Sequence, residues 1–364
     1  MRRLASAAVN SALVVGSLAL FLVVCELVLF RFVLLASDVP ANDFANGLVR
    51  YAPNQAGIWR VRNEIAAPYA INAQGWNSGI GDYALPRTPG VGRIALIGDS
   101  YVEALQVAHD RSLAERAAAE LARDRGPVEA FRFGISGAPL SQYVHMAERE
   151  VVPYAPDRMV VVLVHNDFAE SLTPAAGRYT SSFLRVRVAG QKVEEVAPMP
   201  WRPGWRERLL HTATARYLYY RWQVHPERLR HWLVPAARAD APYSANIDIA
   251  AVLRQMPDVA AATDHLFGRL AAVARAAGTR LMLVMDGDRE AIYAGRDSAA
   301  LALNALAADL ARKHAIPFLD LHPVFAAAWQ AHRQRFEHVS DNHWNEHGHA
   351  VVGHAIARAI RAQK

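Results

Sequence analysis

The sequence predicts an α/β fold in which a parallel β-sheet is covered by helices on both faces. Apolar runs typical of buried strands alternate about five times with segments of helical periodicity. One run, residues 159–164, is rich in β-branched residues, as expected of a strand that is buried on both faces. Parallel strands need long crossover connections, and helical crossovers cover both faces of the sheet.

The predicted elements follow one another along most of the chain. Strands are expected at residues 93–97, 128–133, 159–164, 280–285 and 316–319. Helices are expected at residues 110–125, 139–152, 264–277, 299–314 and 345–362. Asp110 suits a helix start and Gly278 a helix stop, and Pro139 is tolerated in a first turn.

The N-terminus carries an apolar run that is long enough to cross a bilayer. Glu26 and Arg31 are the only charged residues of residues 9–35, and a hydrocarbon core needs about 20 residues of helix. Both charged side chains lie near one end of the run, where they can reach the membrane interface. Two preceding arginines favour a cytoplasmic location for residues 1–8. The run is therefore predicted to be a transmembrane signal anchor, with the rest of the chain outside the cytoplasm.

The remaining chain is divided by its patterning. Residues 36–90 show no sustained periodicity and are predicted to be a stalk followed by a loop-rich segment with short strands. Residues 91–364 carry the alternation of strands and helices, which an insertion at about residues 169–262 interrupts. The insertion contains a helix-like stretch, residues 206–224, and several aromatic residues: Trp201, Trp205, Tyr217, Tyr219, Tyr220, Trp222 and Trp232. Such residues usually pack in a core, but exposed ones could stack on sugar rings or lie at a membrane surface.

The composition excludes several classes of protein. With 52% hydrophobic and 20% charged residues the chain is globular rather than disordered. The formal net charge is +6, but the arginines are scattered and form no basic tract of the kind that binds nucleic acid. The single cysteine, Cys25, excludes an intramolecular disulfide and a metal site built from cysteines.

Polar residues recur where the predicted strands end. The carboxyl ends of parallel strands meet at one edge of the sheet, where the ligand sites of open α/β folds lie. The polar groups are Gly98-Asp99-Ser100, Ser136-Gly137 and Asn166-Asp167 after the first three strands, and Asp341-Asn342-His343 before the final helix.

These residue types suit nucleophilic catalysis. A serine hydroxyl is a weak nucleophile, and Ser100 would need an imidazole such as that of His343 to take its proton. A carboxylate such as that of Asp341 would hold the other imidazole nitrogen. The backbone N–H groups of Ser100 and Gly137, with the Asn166 amide, could bind the oxyanion that forms.

Simpler explanations remain open for these residues. Ser100 could serve only as a helix cap. Asp99 is expected to be a structural cap rather than a proton carrier. Asp320 also follows a predicted strand and is an alternative partner for the histidine. Five histidines near the C-terminus invite a metal site, but a shared helix face is not assured, and we expect neither a metal nor another cofactor. These histidines are His338, His343, His347, His349 and His354.

From residue 93 to residue 361 the chain resembles the SGNH hydrolases, also called the GDSL family. Gly98-Asp99-Ser100 resembles the nucleophile block of the family, and Ser136-Gly137 resembles its glycine block. The stretch from Val164 to Asp167 resembles the family's Gly-x-Asn-Asp block, with valine in place of glycine. Asp341-x-His343 is one residue shorter than the usual Asp-x-x-His spacing.

The short spacing points to one branch of the family. Together with Trp344-Asn345 and the earlier Asn72-x-x-Gly75 segment, it resembles membrane-anchored members, including polysaccharide O-acyl esterases and alginate O-acetylation proteins. The resemblance implies a three-layer α/β/α sandwich with a flavodoxin-like sheet, and acyl-ester hydrolysis or acyl transfer. It also implies catalysis by Ser100, His343 and Asp341. Neighbouring residues are expected to contact the substrate: His165, Asp167 and Trp344. For His165 the equal alternative is that its ring only fills the loop.

Three functions are consistent with these residues. The first is a serine esterase that hydrolyses an O-acyl ester, in particular an O-acetyl ester, on a carbohydrate or lipid outside the cytoplasm. The second is an O-acetyltransferase of exopolysaccharide modification that uses the same residues. The third is a catalytically silent glycan-binding assembly subunit. The expected location is the bacterial inner membrane, with a single pass and the catalytic domain in the periplasm. The expected partners are the acylated substrate, the membrane and proteins of polysaccharide export or modification, without nucleic acid.

Overall fold

The computed structural model describes residues 2–173, 179–190, 192–224 and 247–363. The chain divides into two compact units, which are described separately. The first consists of the described residues of 1–39, 58–66 and 203–237. The second consists of the described residues of 40–57, 67–202 and 238–364. Trp232, one of the aromatic residues of the predicted insertion, lies outside the described residues.

The strands and helices are numbered in chain order. The strands are β1 (Asn42–Ala45), β2 (Leu48–Tyr51), β3 (Gln55–Val61), β4 (Ile65–Ile71), β5 (Gly92–Gly98), β6 (Val128–Gly134), β7 (Arg158–Leu163), β8 (Arg185–Ala189), β9 (Lys192–Val196), β10 (Arg280–Met285) and β11 (Phe318–Asp320). The α-helices are α1 (Arg2–Val24), α2 (Ser100–Glu103), α3 (Leu113–Arg125), α4 (Leu140–Met146), α5 (Asn166–Glu170), α6 (Trp205–Leu210), α7 (Ala213–Ala215), α8 (Ile249–Arg254), α9 (Met256–Ala276), α10 (Arg289–Ala294), α11 (Leu301–Lys313), α12 (Leu321–His332) and α13 (Glu346–Ala362).

The second unit is built around a five-stranded parallel sheet, as the alternation predicts. The strand order is β6-β5-β7-β10-β11, and every neighbouring pair is parallel. With the strands renumbered from β5, this is the order 2-1-3-4-5 of flavodoxin-like folds. In register, Gly98 pairs with Gly134, and Ile97 with Val161. The carboxyl ends of β5, β6 and β7 therefore meet at the same edge of the sheet.

Alternate residues of the strands feed two separate cores. In β5, Ala95 and Ile97 belong to the core that α4, α9 and α11 cover. Ile94 and Leu96 belong to the opposite core, which α3, α12 and α13 cover. Successive side chains of a strand point to opposite faces, so an uninterrupted apolar run needs a helical layer on each side. The prediction of a three-layer α/β/α sandwich is confirmed.

Short antiparallel hairpins lie outside this sheet. β1 pairs with β2, β3 with β4, and β8 with β9. The first four of these strands fall within residues 36–90, the segment predicted to be a stalk followed by loops or short strands. Trp76, which follows β4, is fully buried against Phe133 of β6, with the ring centroids 5.4 Å apart. Part of this segment therefore packs on the sandwich.

The first unit contains the N-terminal helix. α1 continues as a π-helix, Cys25–Val33. Within the described residues, Val9–Val33 is the one helix long and apolar enough to cross a membrane. The helix predicted over residues 206–224 is interrupted: α6 ends at Leu210, and Thr212 caps the next helix by accepting a hydrogen bond from Ala215 N. Because a capping threonine has an extended backbone, the two helices cannot be continuous.

Candidate active site

Ser100 is delivered to the edge of the sheet by the central strand β5. The strand is buried as far as Gly98, and Asp99 caps α2 by accepting a hydrogen bond from Tyr101 N at 2.9 Å. A side chain at Gly134, at the end of β6, would place its Cβ 2.2 Å from Glu103 N. The glycine therefore allows α2 to lie directly against the neighbouring strand.

His343 reaches Ser100 from the loop before α13. Its Nε2 lies 2.7 Å from Ser100 Oγ, and its Nδ1 contacts Asp341 Oδ1 at hydrogen-bonding distance. The backbone N–H of His343 donates to the same Asp341 oxygen at 3.0 Å. The structure thus brings together the three residues that the sequence proposes as a catalytic triad, although Ser100 lies more than 200 positions before Asp341 and His343.

The charges around the imidazole favour its protonated form. Burial by itself lowers the pKa of His343, but the Asp341 carboxylate outweighs this effect, and the net pKa lies above 6.5. Burial by itself raises the pKa of Asp341, and the contacts with His343 lower it to about 2. Asp341 is therefore a carboxylate at neutral pH and can stabilise an imidazolium.

Asp99 and Asp167 are two further carboxyl groups buried near the nucleophile. Burial raises the pKa of Asp99 to about 7. Burial also raises the pKa of Asp167, and the negative charge of Asp99 adds to this effect. Asp167 accepts hydrogen bonds from Tyr143 OH at 2.9 Å and from Val164 N at 2.8 Å, so it holds the loop after β7 together.

Tyr101 and Arg289 hold the loop that carries the histidine. Both donate to the backbone oxygen of Asn342, the residue between Asp341 and His343, at 3.1 Å and 2.9 Å respectively. Arg289 Nη2 also donates to Tyr101 OH at 2.9 Å. Arg289 lies at the start of α10, and the sequence offers no signal for its role because its partners are remote in the chain.

Glu103 links the nucleophile helix to the loop after β6. Its two oxygens accept from the Ser136 backbone N–H at 3.1 Å and from the Ser136 hydroxyl at 2.5 Å. Tyr51 OH also donates to Glu103. Burial raises the pKa of Glu103, whereas these hydrogen bonds oppose the rise. The sequence analysis missed Glu103, and its position three residues after Ser100 is the only local signal.

The three proposed oxyanion donors come from the ends of three adjacent strands. Ser100 follows β5, Gly137 follows β6 and Asn166 begins α5 after β7. Gly137 has a φ of +74°, which a residue with a side chain adopts only with strain. The Asn166 side chain forms a hydrogen bond with Glu170, which lowers the pKa that burial of this carboxyl raises.

The three residues expected to contact the substrate lie in the interior. His165 is 1% exposed, its Nε2 lies 2.9 Å from Asn304 Oδ1, and burial lowers its pKa to about 4. Asp167 and Trp344 are fully buried, and Trp344 packs edge-on against Tyr101 with the ring centroids 4.7 Å apart. These side chains support the loops after β7 and before α13, and their burial speaks against the expected contact with a substrate.

The alternative carboxylate and the clustered histidines have other contacts. Asp320 accepts from Asn304 Nδ2 at 2.8 Å and from His322 N at 2.9 Å, so Asp341 is the carboxylate on His343. The His349 ring is buried, and its Nδ1 accepts from Leu113 N at 3.3 Å. Within the described ranges, no three His, Cys, Asp or Glu side chains form a group that could hold a metal ion.

Comparisons with known proteins cover most of the second unit. Residues 96–351 match the model of the GDSL-like lipase/acylhydrolase family. Among solved structures, the chain is similar to the lipase/acylhydrolase from Enterococcus faecalis, with 14% identity, a TM-score of 0.39, and 75% of this chain and 96% of that chain covered. It is also similar to the acetyl xylan esterase AlAXEase, with 12% identity, a TM-score of 0.41, and coverage of 74% and 99%. A third is LAE5, an α/β hydrolase enzyme from the metagenome of Lake Arreo, Spain, with 13% identity, a TM-score of 0.39, and coverage of 75% and 96%. No curated protein matches the chain.

Proposed function

Because the chain belongs to the GDSL-like lipase/acylhydrolase family and is therefore an ester-hydrolysing enzyme, we propose that it is a serine esterase acting through Ser100, His343 and Asp341. The observation that carries this proposal is the 2.7 Å contact between His343 Nε2 and Ser100 Oγ. Asp341 lies on the other imidazole nitrogen. This is the arrangement that a serine nucleophile requires for activation.

The proposed reaction has two steps. Ser100 Oγ attacks the acyl carbonyl carbon while His343 Nε2 takes the hydroxyl proton. The tetrahedral intermediate then collapses, the alcohol leaves with the proton from His343, and the acyl group remains on Ser100. In the second step water attacks the acyl carbon while His343 takes one of its protons. The bond between Ser100 Oγ and the acyl carbon then breaks, His343 returns the proton to Ser100 Oγ, and the carboxylic acid leaves. Asp341 stays ionised throughout and stabilises the imidazolium.

The oxyanion of each intermediate needs donors that are already in place. The backbone N–H groups of Ser100 and Gly137 and the Asn166 amide are proposed for this role. Removing one such donor typically costs about 10²–10³ in kcat. The hydrogen bonds between Glu103 and Ser136 support the proposal, because they hold the backbone next to Gly137.

The proposed substrate is an O-acyl ester, in particular an O-acetyl ester, of a carbohydrate or lipid outside the cytoplasm. The apolar helix Val9–Val33 supports a membrane anchor. The two arginines that precede it, Arg2 and Arg3, favour a cytoplasmic N-terminus and hence a periplasmic catalytic unit. The sequence resemblance to membrane-anchored members favours the bacterial inner membrane.

The test is ester hydrolysis by the full chain and by Ser100→Ala. We expect the variant to lose at least about 10³ in kcat against p-nitrophenyl acetate, because nothing then attacks the carbonyl. Ser181→Ala is a matched control, since Ser181 is exposed and far along the chain from the three residues. Unchanged turnover in Ser100→Ala would overturn the proposal.

Product analysis separates hydrolysis from transfer. With an acetyl donor and an acceptor glycan, an esterase releases free acetate, whereas acetylated glycan as the main product would show a transferase that uses the same residues. A fluorophosphonate probe addresses the third function. We expect the probe to label the wild type and not Ser100→Ala. No labelling of the wild type would favour a catalytically silent subunit.

A further inference from the structure

In the first unit, part of the insertion runs alongside the outer end of the N-terminal apolar helix. Glu26 contacts Ala213 and Thr214, and the Phe30 ring stacks on Tyr217 with the centroids 4.5 Å apart. Arg221 lies eight residues after Ala213 and donates to backbone oxygens at the end of the same N-terminal helix. The contacts recur every four residues on both segments with a constant separation of 187 positions. The two helices are therefore parallel, with matching faces in contact.

A half-buried polar clasp, formed by Glu26 with Ala213 and Thr214, fixes the end of this pairing where the insertion helix begins. Glu26 accepts from Ala213 N at 2.8 Å, from Thr214 N at 2.9 Å and from Thr214 Oγ1 at 2.9 Å. The carboxylate thus caps the first turn of the helix that begins at Ala213, where free N–H groups favour a negative charge. A glutamate in an apolar run is costly in a membrane unless it has such partners.

Two arginines of the insertion bind the chain just after the N-terminal apolar helix. Arg221 donates to the backbone oxygens of Leu34 and Leu35. Arg216 pairs with Asp38 at 3.0 Å and donates to Ser37 O at 3.1 Å. The segment from Ala213 to Arg221 is therefore held along the whole outer end of the apolar helix.

This pairing sets where α6 lies. A bilayer core takes about 20 residues of helix, so a span that starts at Val9 leaves the hydrocarbon near residue 29. Because the paired helices are parallel, the first residues of the insertion helix, Ala213 and Thr214, are at its bilayer-facing end. α6 is joined to that end by only two residues, His211 and Thr212. The connection is too short to carry α6 far from the membrane interface.

We infer that α6 and the exposed apolar residues of the segment that begins at Ala213 form a membrane-contact surface. Trp205 and Leu209 of α6 are inserted among the lipid headgroups. Trp205 is 70% exposed and Leu209 is 55% exposed. They are four residues apart and so lie on one side of α6. Leu218 and Trp222, also exposed and four apart, continue the apolar residues on the paired helix. The inference rests on the membrane anchor proposed above.

The chemistry of this surface fits an anionic phospholipid bilayer. Tryptophan places an apolar ring and a polar N–H at the interface of a membrane. Residues 203–224 contain four arginines and one glutamate, and the exposed Arg206 and Arg208 flank the apolar side of α6. Arginines near such a surface are attracted to anionic headgroups. The exposed aromatic residues are continuous with a helix that itself enters the bilayer, which favours lipid over a glycan or a second chain.

The test uses the full chain in nanodiscs of phosphatidylcholine and phosphatidylglycerol, one chain per disc. A fluorescent label is placed at Leu209→Cys in a Cys25→Ser background and is quenched by lipid that carries a doxyl group near the headgroup. The control label is at Asn63→Cys, which is exposed in the same unit and lies beside Arg221, at the end of the paired segment farther from the bilayer. We expect at least twofold stronger quenching at position 209. A second readout, quenching of native tryptophan fluorescence by brominated lipid, should fall in Trp205→Phe and needs no change at Cys25.

Other outcomes would overturn the inference. Equal quenching at positions 209 and 63 would mean that α6 faces water, where a glycan could bind. Shielding that requires two chains per disc would mean contact between copies. A label at Val15→Cys, in the apolar helix, tests the anchor separately: if it is not quenched, the anchor itself is wrong. In Glu26→Ala, quenching at position 209 should fall while hydrolysis of p-nitrophenyl acetate persists. Unchanged quenching would mean that the hydrogen bonds of Glu26 do not place α6 at the membrane.

Discussion

Ser136 donates both its backbone N–H and its hydroxyl to one carboxylate, that of Glu103. Glu103 ends the helix that Ser100 begins, so this pair joins the nucleophile to the loop that carries Gly137. A nucleophile and its oxyanion donors must be placed within a fraction of an ångström of each other. The link offers a physical reason why two separate strand ends keep a common geometry.

Glu103→Gln should therefore reduce catalysis. The new amide nitrogen would face a hydrogen-bond donor, namely the Tyr51 hydroxyl or one of the N–H and hydroxyl groups of Ser136. The loop after β6 would then shift. We expect kcat/KM for an acetyl ester to fall by about 10–100-fold, since a displacement of about 1 Å can cost 10²-fold. Glu150→Gln is the matched control, because Glu150 is a buried carboxylate that contacts Asn46 and Arg50 instead. A similar loss of kcat/KM in both variants would show general destabilisation rather than positioning.

Asp341→Asn should lower activity and move its pH dependence. An asparagine cannot stabilise the imidazolium and favours the wrong tautomer, so we expect kcat to fall by about 10³–10⁴. The pKa of His343 should also fall, since the Asp341 charge is what raises it. The acid limb of the rate profile should move to lower pH. Asp320→Asn should change neither quantity, because Asp320 caps α12 and does not contact His343.

The pKa of His343 gives opposite pH trends for activity and stability. A neutral imidazole takes the Ser100 proton, so kcat/KM in the wild type should rise with pH through a midpoint above 6.5. A raised histidine pKa stabilises the folded chain fully below 6.5, and this contribution is lost as the pH rises through the folded-state value. Asp341, with its pKa lowered from 3.8, contributes above 3.8 and loses its contribution as the pH falls toward about 2.

The contribution of the pair to stability should therefore be largest between 3.8 and 6.5, where both partners are charged. The measurement is the free energy of unfolding of the wild type minus that of Asp341→Asn across this range and above it. The difference should shrink as the pH rises beyond the midpoint of activity. A difference that grows there would contradict the assignment of the pKa shift to this pair.

Arg289→Met should destabilise the chain and weaken catalysis together. The guanidinium is 5% exposed, holds Asn342 O, and lies 3.7 Å from Asp286 and 3.6 Å from Glu337. Its removal leaves the buried Asp286 carboxylate without its positive partner, whereas Glu337 keeps its contact with Arg335. Loss of such a partner typically costs about 3–5 kcal/mol. Urea unfolding measures this loss. Arg289→Lys should recover part of the stability but less of the activity, since one ammonium cannot hold Asn342 O as Nη2 does and also face Asp286 as Nη1 does.

His165→Gln should affect stability and leave substrate binding unchanged. The His165 ring is buried against Asn304 and does not reach the surface. We expect a loss of about 1–3 kcal/mol in the free energy of unfolding, because the hydrogen bond to Asn304 is left imperfect. KM for an acetyl ester should stay within about twofold of the wild type. A KM increase of tenfold or more would return His165 to the binding site.

Local patterns in the sequence predict much of the sandwich and the residues at its strand ends. The strand at Arg280–Met285 agrees at both ends with its prediction, because a short apolar run between a glycine and a polar turn has few alternatives. The helix α12 was missed because Asp320 ends β11 and caps α12 at once, so no loop separates the two elements. The break at Thr212 was missed because the aromatic residues around it keep a helical period.

The supporting contacts could not be predicted in the same way. Ser136 lies 33 positions from Glu103, and Tyr51 lies 52 positions from it. Arg289 meets Tyr101 across 188 positions. Such pairs form only after the strands are in register, and no local periodicity records them. The same limit applies to His165, for which the sequence leaves substrate contact and a loop-filling role both open, since adjacency to Asn166 in the sequence does not decide which side of the loop a side chain takes.

The short Asp341-x-His343 spacing has a mechanical consequence. One carboxylate oxygen of Asp341 receives both the backbone N–H and the ring of His343, so the base and its orienting group form a single closed turn. In a longer loop these two groups would have independent hinges and could drift apart. Here the carboxylate and the imidazole should move together when the loop moves, and Tyr101 and Arg289 hold the residue between them. Substitutions elsewhere in the loop can then change substrate access without separating the Asp341 carboxylate from the His343 imidazole.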